Sequence, residues 1–562
     1  MKRALFLGPI GTLAVMHLSL VGMVDTFQGR DVVVGIITLG SFLPLAIAFL
    51  VGNRAGAAQQ HESLPARTGL GAGALAGAVL GAGVAAFALL VATGFLRPVL
   101  VNATEGLVEI LQYGLGAVGG SIALVVGGAL VGLLGASLHV MPQAMARAVT
   151  RAGMSVVLVS LLEPFLGAVL RNLGLGGLED IVFAGRGVGP VAAIVIFFGV
   201  AAGSFAWTAR GGSVRQRVAA VRGEQGMILN WFLVALTLAF LIALPQLVGQ
   251  RLSEVVGTVG IFILLGLGLN IVVGFAGLLD LGYVAFYAVG AYTTAVLTSP
   301  ASPAFSPELP FWAALPIVIV VAATLGVIIG APVLRLRGDY LAIVTLGFGE
   351  IARILFLSAW LQPYLGGAQG ITPIPAAAPF TRQPQSIYYP ILFFCILGAL
   401  VALSLASSRV GRAWNAMRED ESVAEATGIN TIKYKLLAFA MGGVFGSIGG
   451  AFFSAKIGTI FPDSFSLLVS INALALIILG GMGNIPGVIV GAIVLVGLPE
   501  LLREFAEYRL LIYGMVLVAM MLLRPEGLLP SRSRRAELHD QAGTDVQWNE
   551  EAGEQTARPM VT

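Results

Sequence analysis

Long apolar stretches separated by short polar segments recur along almost the whole chain. A helix of about 20 apolar residues crosses a hydrocarbon core of roughly 30 Å. Six such stretches precede residue 210, at about 5–24, 32–52, 69–94, 113–140, 152–170 and 188–209. Ten more follow, at about 228–248, 253–273, 276–298, 311–334, 340–361, 387–408, 434–455, 466–482, 486–502 and 510–523. The pattern predicts an all-α membrane bundle of about 16 hydrophobic segments, some of them half-helices because Gly and Pro interrupt them.

A single polar segment, Arg409 to Lys435, interrupts the apolar second half of the chain. It is too charged to lie in lipid, yet a segment long enough to span a bilayer flanks it on each side. Its middle, Ala416 to Asn430, holds helix-forming residues and Gly428, a residue type that commonly ends helices. The pattern predicts a short amphipathic helix at the membrane surface, where it can receive force from a soluble partner.

Composition supports a polytopic membrane protein. Hydrophobic residues make up 57% of the chain and charged residues only 11%, and the mean hydropathy is +0.93. A net charge of +3 gives no electrostatic footprint for nucleic acid. The single cysteine, Cys395, can form no internal disulfide. Met1 to Val24 lacks a small-residue cleavage site, so it is interpreted as an uncleaved first span rather than a signal peptide.

The distribution of basic residues orients the bundle. With Met1 in the cytoplasm, the inside segments before residue 225 hold Lys2, Arg3, Arg54, Arg67, Arg147, Arg151, Arg210, Arg215, Arg217 and Arg222. The outside segments hold Arg30, Arg97, Arg171 and Arg186. We therefore expect both termini to be cytoplasmic, together with Arg335, Arg337 and the 409–435 segment. The predicted organisation is an N-terminal membrane extension at 1–208, a basic linker at 209–225, a second membrane domain at 226–530 and a polar, disordered tail at 531–562.

No energy-converting or catalytic motif is found in the sequence. The four lysines are Lys2, Lys433, Lys435 and Lys456, and none lies in a Walker A phosphate-binding loop. The histidines are scattered, and no Cys/His or paired-carboxylate spacing indicates a metal site or a hydrolase. We expect no bound cofactor and no enzymatic activity of this chain, so any ATPase would be another subunit.

A second candidate site lies between Gly268 and Tyr292, where glycines indicate a broken helix with backbone exposed to a cavity. Asp280 stands in an otherwise uncharged run, and a carboxylate facing mid-bilayer costs roughly 2.5–3.5 kcal/mol on insertion scales. It could cap the following half-helix, line a translocation pathway, or lie at an interface. The candidate pathway residues are Asn270, Gly277, Asp280, Gly282, Tyr283 and Tyr287.

Smaller patterns favour structural roles. Glu350 and Arg353 are three residues apart and can neutralise each other on one helix face. The glycines of Gly366–Pro375 favour turns, and Leu479–Gly487 indicates a break between two spans. Two sets of glycines at intervals of four predict close helix–helix contact, namely Gly69, Gly73, Gly77 and Gly81, and Gly442, Gly446 and Gly450.

The polar segment resembles a known element. Its residues GRAWNAMREDE (411–421) and ESVAEATGIN (421–430) are similar to the cytoplasmic loop of branched-chain amino acid ABC-importer permeases, with the acidic residue one place earlier than in importers generally. The Gly268–Tyr292 segment resembles the same family nearly position for position, and the likeness extends over about 226–530. It implies an ATPase-coupling role for Arg418, Glu421, Ala424, Glu425, Gly428 and Asn430.

The resemblance also implies partners and a mechanism. The implied partners are a sister permease, two ATP-binding subunits and an extracytoplasmic substrate-binding protein. The implied location of the permease is the inner membrane, and the implied mechanism is alternating access driven by ATP that the partner subunits bind. The sequence leaves open whether the substrate is a branched-chain amino acid or urea or a short amide. The rival classes are a secondary transporter driven by an ion gradient, which would need paired buried ionisable residues, and a non-transporting scaffold. The sequence leaves open whether residues 1–225 form a fused membrane module, a packing scaffold or a regulatory extension.

Overall fold

The structure is a computed structural model. It describes residues 2–529 apart from 61–65, 96, 99, 225, 303–305, 334–335, 337–338, 498, 500–510, 512–513, 516–517 and 519–526. The chain divides into two compact units, the first reaching Leu241 and the second beginning at Ile242. The predicted tail, Arg335, Arg337 and most of the segment at 510–523 lie outside the described residues.

The first unit is built almost entirely of helices. They are α1 (Lys2–Leu20), α2 (Met23–Thr26), α3 (Leu39–Gln60), α4 (Ala66–Ala92), α5 (Glu105–Leu111), α6 (Gly116–Ser137), α7 (Gln143–Leu161), α8 (Glu163–Asn172), α9 (Gly176–Val182) and α10 (Pro190–Glu224). Strands β1 (Asp31–Val33) and β2 (Ile37–Thr38) form an antiparallel pair. The backbone of the predicted linker at 209–224 continues α10.

Two boundaries in this unit differ from the prediction. The span expected at 32–52 begins instead at Leu39, because the β-branched residues before it form β1 and Gly35 turns the chain in a left-handed conformation. The span expected at 152–170 is α7, which begins nine residues earlier at Gln143, since hydropathy discounts a first half that carries Arg147 and Arg151. A new helix, α8, begins at Glu163.

Glycines bring α4 and α6 into backbone contact. A Cβ atom at Gly77 would lie 2.0 Å from the Gly128 carbonyl oxygen, and one at Gly81 would lie 2.1 Å from the Leu124 carbonyl oxygen. Only glycine permits so close an approach. The predicted packing role is confirmed for Gly73, Gly77 and Gly81, whereas a Cβ at Gly69 would meet nothing closer than 3.7 Å.

The second unit contains α11 (Gly226–Leu269) from residue 242 onward and ten further helices. These are α12 (Val284–Thr298), α13 (Phe311–Val333), α14 (Asp339–Leu357), α15 (Gln362–Leu365), α16 (Pro384–Ser407), α17 (Arg409–Glu419), α18 (Glu421–Ala426), α19 (Thr431–Ile457), α20 (Leu467–Gly480) and α21 (Ile485–Ala492). A kink at Gly249 divides α11, as the two predicted segments at 228–248 and 253–273 require. A π-helical turn, Asn270–Phe275, continues α11, and a second one at 493–497 continues α21.

Helix α19 lies at the centre of this unit, against α12 and α13. In the second glycine series a Cβ at Gly450 would lie 2.0 Å from the Tyr287 carbonyl oxygen of α12, whereas one at Gly442 would lie 2.5 Å from Val272 in the π-helical turn. From the side of α12, a Cβ at Gly290 would lie 2.0 Å from the Ser447 carbonyl oxygen. The Ser447 hydroxyl donates a hydrogen bond of 2.7 Å to the Phe286 carbonyl. The predicted close contact is confirmed here too.

The described part of the chain contains 11 helices long and apolar enough to cross a membrane, or 12 if the bent pair α1–α2 counts as one span. Two shorter apolar helices, Val284–Thr298 and Ile485–Gly497, add to them. The all-α polytopic bundle is confirmed, whereas the count of 16 segments stays a prediction.

Candidate functional site: the cytoplasmic helices and the broken segment

The polar segment 409–435 forms two short helices, where one helix over Ala416–Asn430 is predicted. The break lies at Asp420, which has an extended backbone and whose Oδ1 accepts hydrogen bonds from the N–H groups of Ser422 (2.8 Å) and Val423 (3.0 Å). An Asp in this position offers the backbone N–H groups an acceptor outside the helix ladder. The sequence therefore begins a new helix, α18, within the segment.

Helix α17 is anchored by its apolar face. Ser408 caps its first turn, and Ala413, Trp414 and Met417 are buried. Trp414 is fully buried, and its Nε1 donates to the Tyr434 carbonyl in the first turn of α19 at 2.8 Å. This contact ties the polar segment directly to the next spanning helix.

Helix α18 is held by Ala424 and by an ion pair. Ala424 is buried, and Glu421 Oε1 lies 2.6 Å from Lys435 Nζ, whose side chain is only 4% exposed. Glu421 therefore points towards α19, so this geometry supports a bracing role for it. Lys435, for which the sequence predicts no specific contact, is the partner that fixes Glu421.

Gly428 ends α18, as predicted. Its φ is +87°, its N–H donates to the Glu425 carbonyl, and the Ile429 N–H donates to the Ala424 carbonyl, which together form a Schellman motif. Asn430 then caps α19 by accepting a hydrogen bond from the Lys433 N–H at 3.0 Å. The positions of Gly428 and Asn430 thus fix the turn between the two helices.

One face of α18 remains exposed. It comprises Ser422, Val423, Glu425 and Ala426, and the Val423 side chain is 58% exposed although it is apolar. Glu425, a predicted coupling residue, lies on this face. The buried side of the helix fixes its position, and the exposed side is available to another protein.

The second candidate site is a real helix break. Helix α11 passes into the π-helical turn Asn270–Phe275, Gly277 adopts a φ of +72°, and α12 begins only at Val284. Asn270 is fully buried, and its Oδ1 accepts a hydrogen bond of 2.9 Å from the Gly483 N–H. Gly483 lies in the break between α20 and α21, so Asn270 joins the two discontinuities.

Asp280 stabilises a tight turn within this break. It is 2% exposed, and its Oδ1 accepts a hydrogen bond of 2.9 Å from the Gly282 N–H. The first N–H of α12, that of Val284, is taken instead by the Ser470 hydroxyl at 2.8 Å. Asp280 Oδ2 is buried and has no hydrogen-bond partner among the described residues. Asp280 therefore closes a turn before α12 and makes no hydrogen bond to the first N–H groups of that helix, so the predicted cap of α12 is not formed by its side chain, and a role in the pathway stays a prediction.

The remaining pathway candidates are packed inside the bundle. The Tyr283 hydroxyl donates to the Gly442 carbonyl of α19 at 2.7 Å, and Tyr287 packs its ring against Phe465. Gly282 contacts α14 so closely that a Cβ there would lie 1.8 Å from the Thr345 carbonyl oxygen. In this conformation the side chains of Tyr283 and Tyr287 are buried, so they hold helices together rather than lining an open passage.

The two candidate sites meet at Arg418. Its Nη1 donates a hydrogen bond of 2.9 Å to the Gly274 carbonyl in the π-helical turn. Its stem packs on Gly277, where a Cβ would lie 2.7 Å from Arg418 Cγ. The sequence predicts both sites but not this contact, since the residues are 144 positions apart.

Two minor predictions are also resolved. Arg353 Nη2 lies 2.5 Å from Glu350 Oε1, which confirms the predicted pair, and Arg353 also lies 3.5 Å from Asp463. In the Gly366–Pro375 loop three glycines have positive φ, and Ile371 pairs with Ile460 as an isolated bridge. The loop is thus a set of turns held against the segment that follows α19.

Comparison with known proteins places these features in a family. Residues 251–523 match the model described as the branched-chain amino acid transport system permease component. The chain is 40% identical over 342 residues to the high-affinity branched-chain amino acid transport system permease protein LivM of Escherichia coli (strain K12), covering 56% of this chain and 78% of that protein. No solved structure matches the chain significantly.

Two more distant relatives carry related names. A probable branched-chain amino acid transport permease protein LivM from Methanocaldococcus jannaschii is 25% identical over 54% of this chain and 93% of its own length. The permease protein LivH of Escherichia coli (strain K12) is 26% identical over 31% of this chain and 61% of its own length. The long, well-covered match to the first LivM shows that this chain belongs to the permease components of branched-chain amino acid ABC transport systems.

Proposed function

We propose that this chain is the membrane-spanning permease subunit of an ATP-driven importer for branched-chain amino acids. The observation that carries the proposal is the 40% identity to a LivM permease over 78% of that protein's length. The chain lacks a Walker A loop, so ATP would be bound by two separate ATP-binding subunits. A sister permease and an extracytoplasmic binding protein complete the complex, in the inner membrane with both termini of this chain in the cytoplasm.

The cytoplasmic helices supply the coupling element. Burial of Trp414 and Ala424, and the Glu421–Lys435 ion pair, hold α17 and α18 on the second unit. The exposed face around Val423 and Glu425 then docks on an ATP-binding subunit. Movement of that subunit would change which side of the paired permeases is open, which is alternating access.

Substitutions on matched positions test the docking face. Val423 and Ile432 are both 58% exposed, and each lies in the first turn of a helix, α18 or α19, where an acidic residue is well tolerated. We expect Val423→Glu to release the ATP-binding subunits during co-purification and Ile432→Glu to retain them. Retention by both variants would show that α18 is not the docking helix.

A bulky substitution such as Gly428→Trp would not isolate the docking face, because a large side chain is strained at a φ of +87° and the variant would disturb the helix end as well as its surface. Gly428→Asn, which tolerates the left-handed conformation, is the suitable control and should keep the complex intact.

The substrate is tested by uptake with the complete complex. Labelled leucine, isoleucine and valine should be taken up in an ATP-dependent manner, and excess urea or acetamide should not compete. Competition by urea without uptake of leucine would instead assign the importer to short amides, and uptake driven by an ion gradient would overturn the transporter class.

A further inference from the structure

Arg418 connects the cytoplasmic helices to the broken segment. It lies in the last turn of α17, and its half-buried side chain extends towards the segment that follows α11. Its Nη1 donates to the Gly274 carbonyl at 2.9 Å, and its Cγ is the atom that a Cβ at Gly277 would meet at 2.7 Å. The guanidinium and the stem therefore touch two successive parts of the discontinuity.

The position of Gly274 explains why an arginine is suited to this contact. The last carbonyls of a helix lack intrahelical partners and carry a partial negative charge. Gly274 is in the final turn of the π-helical stretch that ends α11, so its carbonyl is such an acceptor. A cation that donates to this carbonyl gains a charge-assisted hydrogen bond and a favourable interaction with the partial negative charge at the helix end.

The contact continues to the other discontinuity of the bundle. A Cβ at Gly483, between α20 and α21, would lie 3.4 Å from Arg418 Nη1, and the Gly483 N–H donates to Asn270 Oδ1. The Arg418 side chain thus bonds one break and lies beside the other, and Asn270 joins those breaks to each other.

We infer that Arg418 is a positioning residue that transmits displacement of the coupling helices to the broken segments 270–283 and 481–484. The inference rests on the proposed function, because it requires that a partner moves α17 and α18. It assigns Arg418 no contact with substrate or with ATP. Its loss should uncouple ATP hydrolysis from transport while leaving the complex assembled.

The test uses the complete complex, reconstituted with its binding protein, and measures leucine uptake per ATP hydrolysed. Arg418→Met keeps an unbranched stem over Gly277 and removes the guanidinium. We expect the ATP-binding subunits to co-purify as in wild type and the ratio to fall about tenfold, the change that corresponds to one charge-assisted hydrogen bond. Arg412→Met is the matched control, since Arg412 is on the same helix and is exposed, with its Nη1 donating to the Ser407 carbonyl.

A wild-type ratio in Arg418→Met, or an equal fall in Arg412→Met, would overturn the inference. If the Arg418→Met protein does not accumulate in the membrane, the same ratio is measured for Arg418→Lys instead. A ratio about threefold below wild type supports the role, since Lys lacks the planar fork and reaches less far, and an unchanged ratio overturns it. A wild-type complex without ATP-binding subunits or ATP-dependent uptake would refute the proposed function itself, so the two failures are distinguishable.

Discussion

In both units of the chain, glycines let one helix backbone lie directly on another. Gly77 of α4 faces the Gly128 carbonyl, Gly450 of α19 faces the Tyr287 carbonyl, and a Cβ at either position would meet that oxygen at 2.0 Å. The surroundings differ. Gly77 of α4 faces a continuous helix, α6, whereas Gly450 of α19 faces α12, which begins at a break that holds a buried carboxylate.

The comparison separates packing from function. Equal spacing of glycines in a sequence indicates equal closeness of helices, because the requirement for a missing Cβ is the same in both units. It does not indicate what the closely packed helix does. In the second unit α12 follows the discontinuous backbone at 270–283, and the Gly274 carbonyl of that segment accepts a hydrogen bond from Arg418 of the cytoplasmic helices.

The largest expected effect on transport comes from filling these glycine contacts. Gly450→Ala and Gly77→Ala each add one methyl group against a carbonyl at 2.0 Å, and overpacking of this kind costs about 1–3 kcal/mol or more. We expect Gly450→Ala to lower uptake per inserted molecule about tenfold, because about 1.4 kcal/mol corresponds to tenfold in a rate or an equilibrium. Gly77→Ala should leave uptake within about twofold on the same scale. An equal loss in both variants would make the first unit part of the transport machinery.

Two ion pairs of similar burial, one in each unit, should contribute differently to stability. Lys435–Glu421 has side-chain exposures of 4% and 22%, and Arg30–Glu163 in the first unit has 7% and 19%. Arg30 also donates to the Ser160 and Leu161 carbonyls, so it keeps acceptors when Glu163 is removed. We expect Glu421→Ala to destabilise by about 3 kcal/mol, the lower end for a broken buried pair, and Glu163→Ala by less. Thermal unfolding in detergent measures both, and a larger effect of Glu163→Ala would contradict the argument.

The elements of the two units were predictable to different degrees. Long apolar helices and glycine contacts follow from local composition, so α4, α6 and α19 were expected close to where they lie. The start of α7 was displaced because Arg147 and Arg151 lie within the helix, and hydropathy alone treats such residues as a loop.

Part of the candidate site could be predicted from the sequence. Gly428 as a helix end and the break near Gly277 follow from residue type, since both need a left-handed backbone. The Asp420 cap was a missed local signal, because Asp followed by helix-forming residues commonly starts a helix. The Arg418–Gly274 and Glu421–Lys435 contacts depend on tertiary packing. For Lys435 the available signal was its charge at the start of an otherwise apolar span.

The smallest expected effect concerns the hydrogen bond between α12 and α19. Tyr283→Phe removes a 2.7 Å bond to the Gly442 carbonyl in a fully buried position and keeps the ring that packs on Gly446. The loss should be about 1 kcal/mol of stability, the usual net value of a buried neutral hydrogen bond. Thr12→Val is the counterpart in the first unit, where the buried hydroxyl bonds the Gly8 and Leu80 carbonyls. If transport depends on the α12–α19 contact, Tyr283→Phe will also lower uptake, whereas Thr12→Val will lower only stability. Equal uptake in the two variants would confine Tyr283 to a packing role.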